Sequence, residues 1–248
     1  MDHTADQTVT QRPSPPSDPY DWEAAVCPPP GFVNAHLGRR FNADGLFLPE
    51  HGNTVVCQVI PGSPTEAALT DIRLVLQSLP FAHHFAFTEI SSYHMTVFEG
   101  VIESRRLPDH WPKDVPTDLD IDTVTQIMQT RLQGFQPLPP FRMTPVQVAP
   151  FGLRLVGATA EDERAVRDWR DALADVTGLR TPKHEAYGFH TTLAYLKTPL
   201  PAETVAIYRP VMQRLTTDVQ ERIAVMDLAR PAFCRFADMN SFPPVIRL

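Results

Sequence analysis

Two short segments of this 248-residue chain share one pattern. Tyr93-His94-Met95-Thr96-Val97 and Phe189-His190-Thr191-Thr192-Leu193 each run aromatic, His, any residue, Thr, apolar. In an extended strand, residues i and i+2 share a face. His94 therefore stands beside Thr96, and His190 beside Thr192, while Met95 and Val97 turn into a core. An imidazole takes up or releases a proton near neutral pH, and a threonine hydroxyl can donate to a phosphate oxygen. Two such pairs facing each other supply a base, an acid and two hydroxyl donors, enough for in-line attack at phosphorus without a metal. Chance placement of nine His gives about one His-x-Thr in a chain this rich in Thr. The weight lies in context: the chain holds two matches, both strand-like, at equivalent places in two half-patterns. The competing reading is two satisfied histidines on sheet faces.

The elements that must position these pairs can be read in order. Residues 54–60 are β-branched and short and predict a strand. Pro61-Gly62 ends it, and Ser63, Pro64 and Glu66 open a helix whose apolar face is Leu69, Ile72, Leu76 and Leu79. Strands are expected at 83–89 and 93–98, then a long loop over 100–116, then a helix capped by Asp120 or Asp122 and ended by Gly134. Strands at 141–149 and 152–158 precede a helix over 160–176 that Gly178 ends. A strand at 189–196, a helix at 201–216 and strands at 221–229 and 232–237 complete the chain. The order reads as one unit used twice and predicts a single α+β domain, residues 20–248, with two lobes. Residues 1–19, rich in Thr, Ser, Pro and Asp, are expected to be a disordered tail. Residues 20–50 lack a period and are expected to form an irregular arm wrapped on the core.

Composition excludes several classes. The net charge is −7 and no basic block occurs, so a broad duplex nucleic-acid surface is not expected, although a local phosphate pocket is compatible with it. No apolar run approaches the ~20 residues a membrane span needs. Residues 1–30 carry one basic residue, Arg12, and no apolar stretch, so neither a secretory signal nor a transit peptide is expected. Cys27, Cys57 and Cys234 are scattered and form no disulfide framework or metal knuckle. A reducing, cytoplasmic setting is the expectation.

The paired motifs, 96 residues apart (190 − 94), resemble those of the two-histidine (2H) phosphoesterase superfamily, which includes RNA-ligase-type 2′,3′-cyclic phosphodiesterases. The likeness spans roughly Asn53 to Phe236. Phe41-Asn42-Ala43-Asp44-Gly45, Gly52-Asn53-Thr54-Val55-Val56-Cys57 and Phe98-Glu99-Gly100-Val101-Ile102 are similar to a branch described as a domain of unknown function. The resemblance implies a bilobal, pseudo-twofold α+β fold, with two antiparallel sheets flanking a central cleft and helices outside. It implies a metal-independent phosphodiesterase acting on a 2′,3′-cyclic phosphate or related phosphodiester at a nucleotide or RNA end. It makes His190 the base and His94 the acid, with Thr96 and Thr192 on the non-bridging oxygens. No cofactor and no metal are expected, since His83, His84 and His94 lack the ligands to complete a metal set.

Further substrate contacts are open at this level. Arg105 and Arg106 in the long loop have the fork geometry that suits phosphate, or are solvated loop charges. Tyr187 stacks on a base or packs in the core. Lys183 and His184 border the cleft or sit on an exposed turn. Trp111 is the tryptophan to test for stacking, whereas Trp22 and Trp169 read as packing residues. Two other function classes fit the same residues: a non-catalytic nucleotide- or phosphate-binding module, and a protein-interaction domain with structural histidines. The oligomeric state leaves no signal.

Overall fold

The computed structural model describes residues 21–29 and 31–248, and the tail expected at 1–19 lies outside them. The arm carries a short helix, α1 (Trp22–Val26), capped by the Asp21 carboxylate. Turns and isolated bridges follow to residue 50, with Phe41 fully buried as their anchor.

The regular elements follow their local signals. β1 (Gly52–Gln58) leads to α2 (Pro64–Ser78), which begins where Ser63 Oγ accepts the Glu66 amide at 3.2 Å. Pro64 sits in the first turn, where its missing N–H has no intrahelical acceptor to lose. β2 (Phe85–Phe87) is shorter than expected because residues 82–84 close into a 3₁₀ turn. β3 (His94–Ile102) is longer. α3 (Ile121–Leu132) is capped by Asp120, which accepts the Thr123 amide at 2.9 Å. β4 (Met143–Ala149) and β5 (Gly152–Gly157) precede α4 (Ala160–Thr177), which Thr159 and Gly178 bracket.

The C-terminal third departs from the pattern. The segment expected as one strand at 189–196 breaks at Leu193 into β6 (His190–Thr192) and β7 (Ala194–Leu196). Leu193 bonds sideways instead, its N–H to Phe151 O and its carbonyl to the Thr88 amide. α5 (Thr204–Arg222) continues past residue 216, because Tyr208, Met212, Leu215 and Val219 keep one buried face. It consumes the start of the strand expected at 221–229, which leaves only a bridge between Val59 and Leu228. β8 (Ala232–Phe236) forms as expected, and an unanticipated edge strand, β9 (Pro244–Arg247), follows it.

Seven strands form one sheet in the order β4-β5-β6-β3-β1-β8-β9, and β2 pairs with β7 in a separate ribbon. The expected pair of sheets is thus replaced by one large sheet, because β3 and β6 hydrogen-bond across a seam at Met95 and Thr191. All the pairs in it are antiparallel. α3, α4 and α5 pack on the sheet, and the main core gathers Leu69, Met95, Val97, Leu153, Val166 and Leu173. Among the described residues no helix is long and apolar enough to cross a membrane.

Gly152 holds β5 against β6. Its φ is +154°, and a Cβ there would lie 2.1 Å from the carbonyl oxygen of Thr191. Gly152→Ala is therefore expected to cost at least about 2 kcal/mol, from strain and from the pushed-apart strands. The check is the midpoint of urea unfolding; an unchanged midpoint contradicts this reading of the seam.

Candidate active site

The seam places both motifs on adjacent strands. Met95 and Thr191 are Cα partners. One residue to either side, antiparallel pairing sets His94 opposite Thr192 and Thr96 opposite His190. The alternation is visible in burial: Met95, Val97 and Thr191 are fully buried, while His94, Thr96, His190 and Thr192 are half-buried. All four line one cavity of about 180 Å³.

Two register shifts between β1 and β3 widen this face. Val55 pairs with Phe98 but Val56 with Thr96, so Val97 is an extra residue. A second shift lies between Gly52–Ile102 and Thr54–Glu99. Each shift flips the alternation. The half-buried positions of β3 are therefore 94, 96, 99 and 102, and Glu99 and Ile102 join the histidines at the cavity. The carbonyl of the bulged Val97 accepts from Arg170 of α4 at 2.6 Å.

The two imidazoles are held alike. His94 Nδ1 lies 2.6 Å from Ser92 O, and His190 Nδ1 lies 2.9 Å from Gly188 O. A carbonyl only accepts, so each Nδ1 carries the proton and each Nε2 is left as the acceptor for chemistry. The Phe242 ring packs against that of His94, with centroids 4.2 Å apart and planes tilted by 53°. Burial pushes the His94 pKa down to about 4, with the nearby His190 adding to the shift and the Ser92 bond opposing it. His94 is thus neutral at pH 7, and the same burial disfavours its protonated form.

Arg105 also lines the cavity. Its Nε and Nη2 are buried without a hydrogen-bond partner among the described residues, and its nearest carboxylate there, Glu99, is 3.8 Å from Nη1. Buried guanidinium donors are ordinarily paired, so these two are available to an anion. The Thr96 and Thr192 hydroxyls likewise make no hydrogen bond to another described residue. Tyr187 lines the cavity too, with its ring 6.1 Å from that of His190 and the Arg170 guanidinium 4.1 Å from its centroid.

Four residues considered from sequence are placed elsewhere. Arg106 is spent on the loop, donating to Glu103 and to the carbonyls of Thr117 and Leu119. Trp111 is 1% exposed, donates to Pro116 O and packs under Arg106. Lys183 is exposed on a turn and does not line the cavity. His184 is buried and bonded to Asp171. With Glu185 these two form a group of possible metal ligands, but the Arg180 guanidinium already bridges both carboxylates. Residues that sequence reasoning missed include Glu99, Asn53, Gly100 and Phe242. Asn53 Oδ1 accepts the Val101 amide, and a Cβ on Gly100 would lie 2.0 Å from that oxygen, so the two residues are fitted to each other.

The family model named 2H-phosphodiest, described as a domain of unknown function (DUF1868), matches residues 40–154. A solved structure, that of the conserved protein of unknown function ATU0111 from Agrobacterium tumefaciens str. C58, is 40% identical in sequence. The match covers 92% of this chain and 98% of that one, with a TM-score of 0.89. Among curated proteins none matches significantly.

Proposed function

This chain belongs to the 2H-phosphodiesterase family described as a domain of unknown function, and on that premise we propose that it hydrolyses a 2′,3′-cyclic phosphate or related phosphodiester of a nucleotide or RNA end. The observation that carries the reading is the quartet at the strand seam: two Nδ1-anchored histidines and two threonines on one cavity wall. The phosphate sits between the imidazoles, with Thr96, Thr192 and Arg105 donating to its non-bridging oxygens. Water attacks phosphorus in line. One Nε2 takes the water proton, and the other ring delivers a proton to the leaving ester oxygen, so one proton enters and one leaves the pair per turnover. Glu99 tempers the Arg105 charge, and Tyr187 borders the ester group.

The resemblance made His190 the base. Both rings are anchored alike, and burial favours the neutral form of His94, so the base and acid roles are assigned by the pH profile. We also read the fold as pseudo-twofold: β1-α2-β3 matches β5-α4-β6, and the seam between β3 and β6 lies at the axis. That relation accounts for the reciprocal placing of the two motifs.

The direct test is incubation with 2′,3′-cyclic nucleotides in EDTA, with separation of 2′- from 3′-monophosphate products. No turnover of any cyclic nucleotide or short oligonucleotide removes the proposal. The pH profile tests the order. The His94 pKa lies below its ordinary value of about 6.5, so its neutral form persists as pH falls through 6.5 and is lost only near 4. With His94 as base, kcat/KM, which reports the free enzyme, keeps its acid limb until about pH 4. A limb at 6 to 7 takes the base role away from His94.

A further inference from the structure

A second cavity, of about 420 Å³, adjoins the first and shares His190, Thr192 and Tyr195 with it. Its floor is formed by β4, β5 and β6, and its roof is the arm, which contributes Ala25 and Phe32. Asn34 pins that roof: its Nδ2 donates to the carbonyls of Leu196 at 2.6 Å and Lys197 at 3.0 Å, and its Oδ1 accepts the His36 amide. That amide is consumed by structure and is not left for a ligand.

The remaining lining is chiefly apolar, with Phe32, Ala149, Phe151, Leu153, Ala194 and Leu196. Gln147, His36, Arg154 and the buried Thr191 are its other polar side chains. The volume falls in the range of small-molecule sites, which combine an apolar wall with few polar groups. A nucleic-acid strand needs a cationic groove along its backbone. This lining offers one arginine among apolar groups. The Phe32 ring remains 46% exposed at the chamber, a cost in water that a bound apolar group relieves.

We infer that this chamber seats an apolar ester group of the substrate, so that the enzyme acts on a small phosphodiester with one phosphate at the histidines and an apolar body under the arm. The inference rests on the phosphodiesterase reading for its chemistry, but the chamber's preference can be measured apart from it. The probes are cyclic phosphates of 1,2-diols with growing tails, from ethane-1,2-diol to hexane-1,2-diol, followed by phosphorus NMR. Each keeps the same reacting ring. The expected result is a rise in kcat/KM of about fourfold per buried methylene, reaching more than about tenfold across the series. Ala25→Trp, an exposed roof position on α1, fills the chamber and should flatten that ratio. Because the readout is a ratio, a general loss of activity does not imitate it.

Binding is measured in parallel as the rise in Tm produced by dibutyl phosphate against dimethyl phosphate. A larger rise with dibutyl phosphate, lost in Ala25→Trp, supports the chamber even if no diol phosphate turns over; in that case the catalytic reading alone fails. Equal turnover along the series with equal Tm shifts overturns the chamber and leaves the catalytic reading standing.

Discussion

His94→Ala and His190→Ala are each expected to lower kcat/KM on a cyclic phosphodiester by about two to four decades, the range for a lost general acid or base. The two losses should not add. Once one ring is gone, the other has no partner to complete proton transfer, so the double variant should fall little below the worse single one. The rings make no side-chain hydrogen bond that the fold depends on; each gives its Nδ1 proton to a nearby carbonyl in its own chain segment. Asn at either position places an amide donor close to where Nδ1 stood, so His→Asn variants should keep the urea midpoint while losing turnover. Steady-state rates with product separation check the first part, and unfolding curves the second. A variant within threefold of the parent would mean that its imidazole does not take part. A protein that binds cyclic nucleotides tightly and never turns them over, with affinity unaltered by His→Asn, would be a binding module built on the same wall.

The quartet was legible because strand alternation is a local rule. His-x-Thr written twice in apolar, β-branched surroundings already says which side chains share a face. The helices were legible for the same reason: Ser63, Asp120, Thr159 and Gly178 state their ends chemically, within a residue or two. Pairing is different. That β3 and β6 meet at Met95 and Thr191 depends on residues nearly a hundred positions apart, and neither segment alone specifies its neighbour. The expectation of two sheets came from the family resemblance, and no local signal in either segment marked the seam.

Glu99 shows the limit of alternation more sharply. Counting by twos from His94 sends position 98 to the cavity and 99 to the core. The extra residue at Val97 reverses this, and Phe98 is buried while Glu99 faces the site. The bulge is held by Arg170, which reaches the Val97 carbonyl from a helix 73 residues away. No window of sequence around the motif contains that cause. Phe242 is a parallel case. It packs against the His94 ring from a segment whose only sequence signal is a pair of prolines, Pro243 and Pro244.

The two loop arginines were indistinguishable in sequence, and their surroundings separate them with a testable sign. Arg106 closes its loop through Glu103 and two carbonyls, so removing it should cost stability and leave the chemistry largely intact. Arg105 is the opposite. Its pKa is lowered by burial, with Glu99 opposing, and two of its nitrogens have no partner among the described residues. A half-buried, poorly paired cation is a cost to the folded protein, and an apolar replacement of similar length relieves it. Arg105→Met should therefore leave the Tm unchanged or raise it. The same change removes a charge-assisted fork from the phosphate. Hydrogen bonds to charged groups contribute about 1.5–3 kcal/mol, so kcat/KM should fall by roughly 10- to 100-fold. Arg105→Lys keeps the charge but not the planar fork and should recover only part of that loss. Inorganic phosphate should protect the parent against thermal unfolding and protect Arg105→Met much less. Loss of activity together with a lowered Tm would instead make Arg105 a scaffold residue, and the phosphate would then depend on the threonines and the histidines alone.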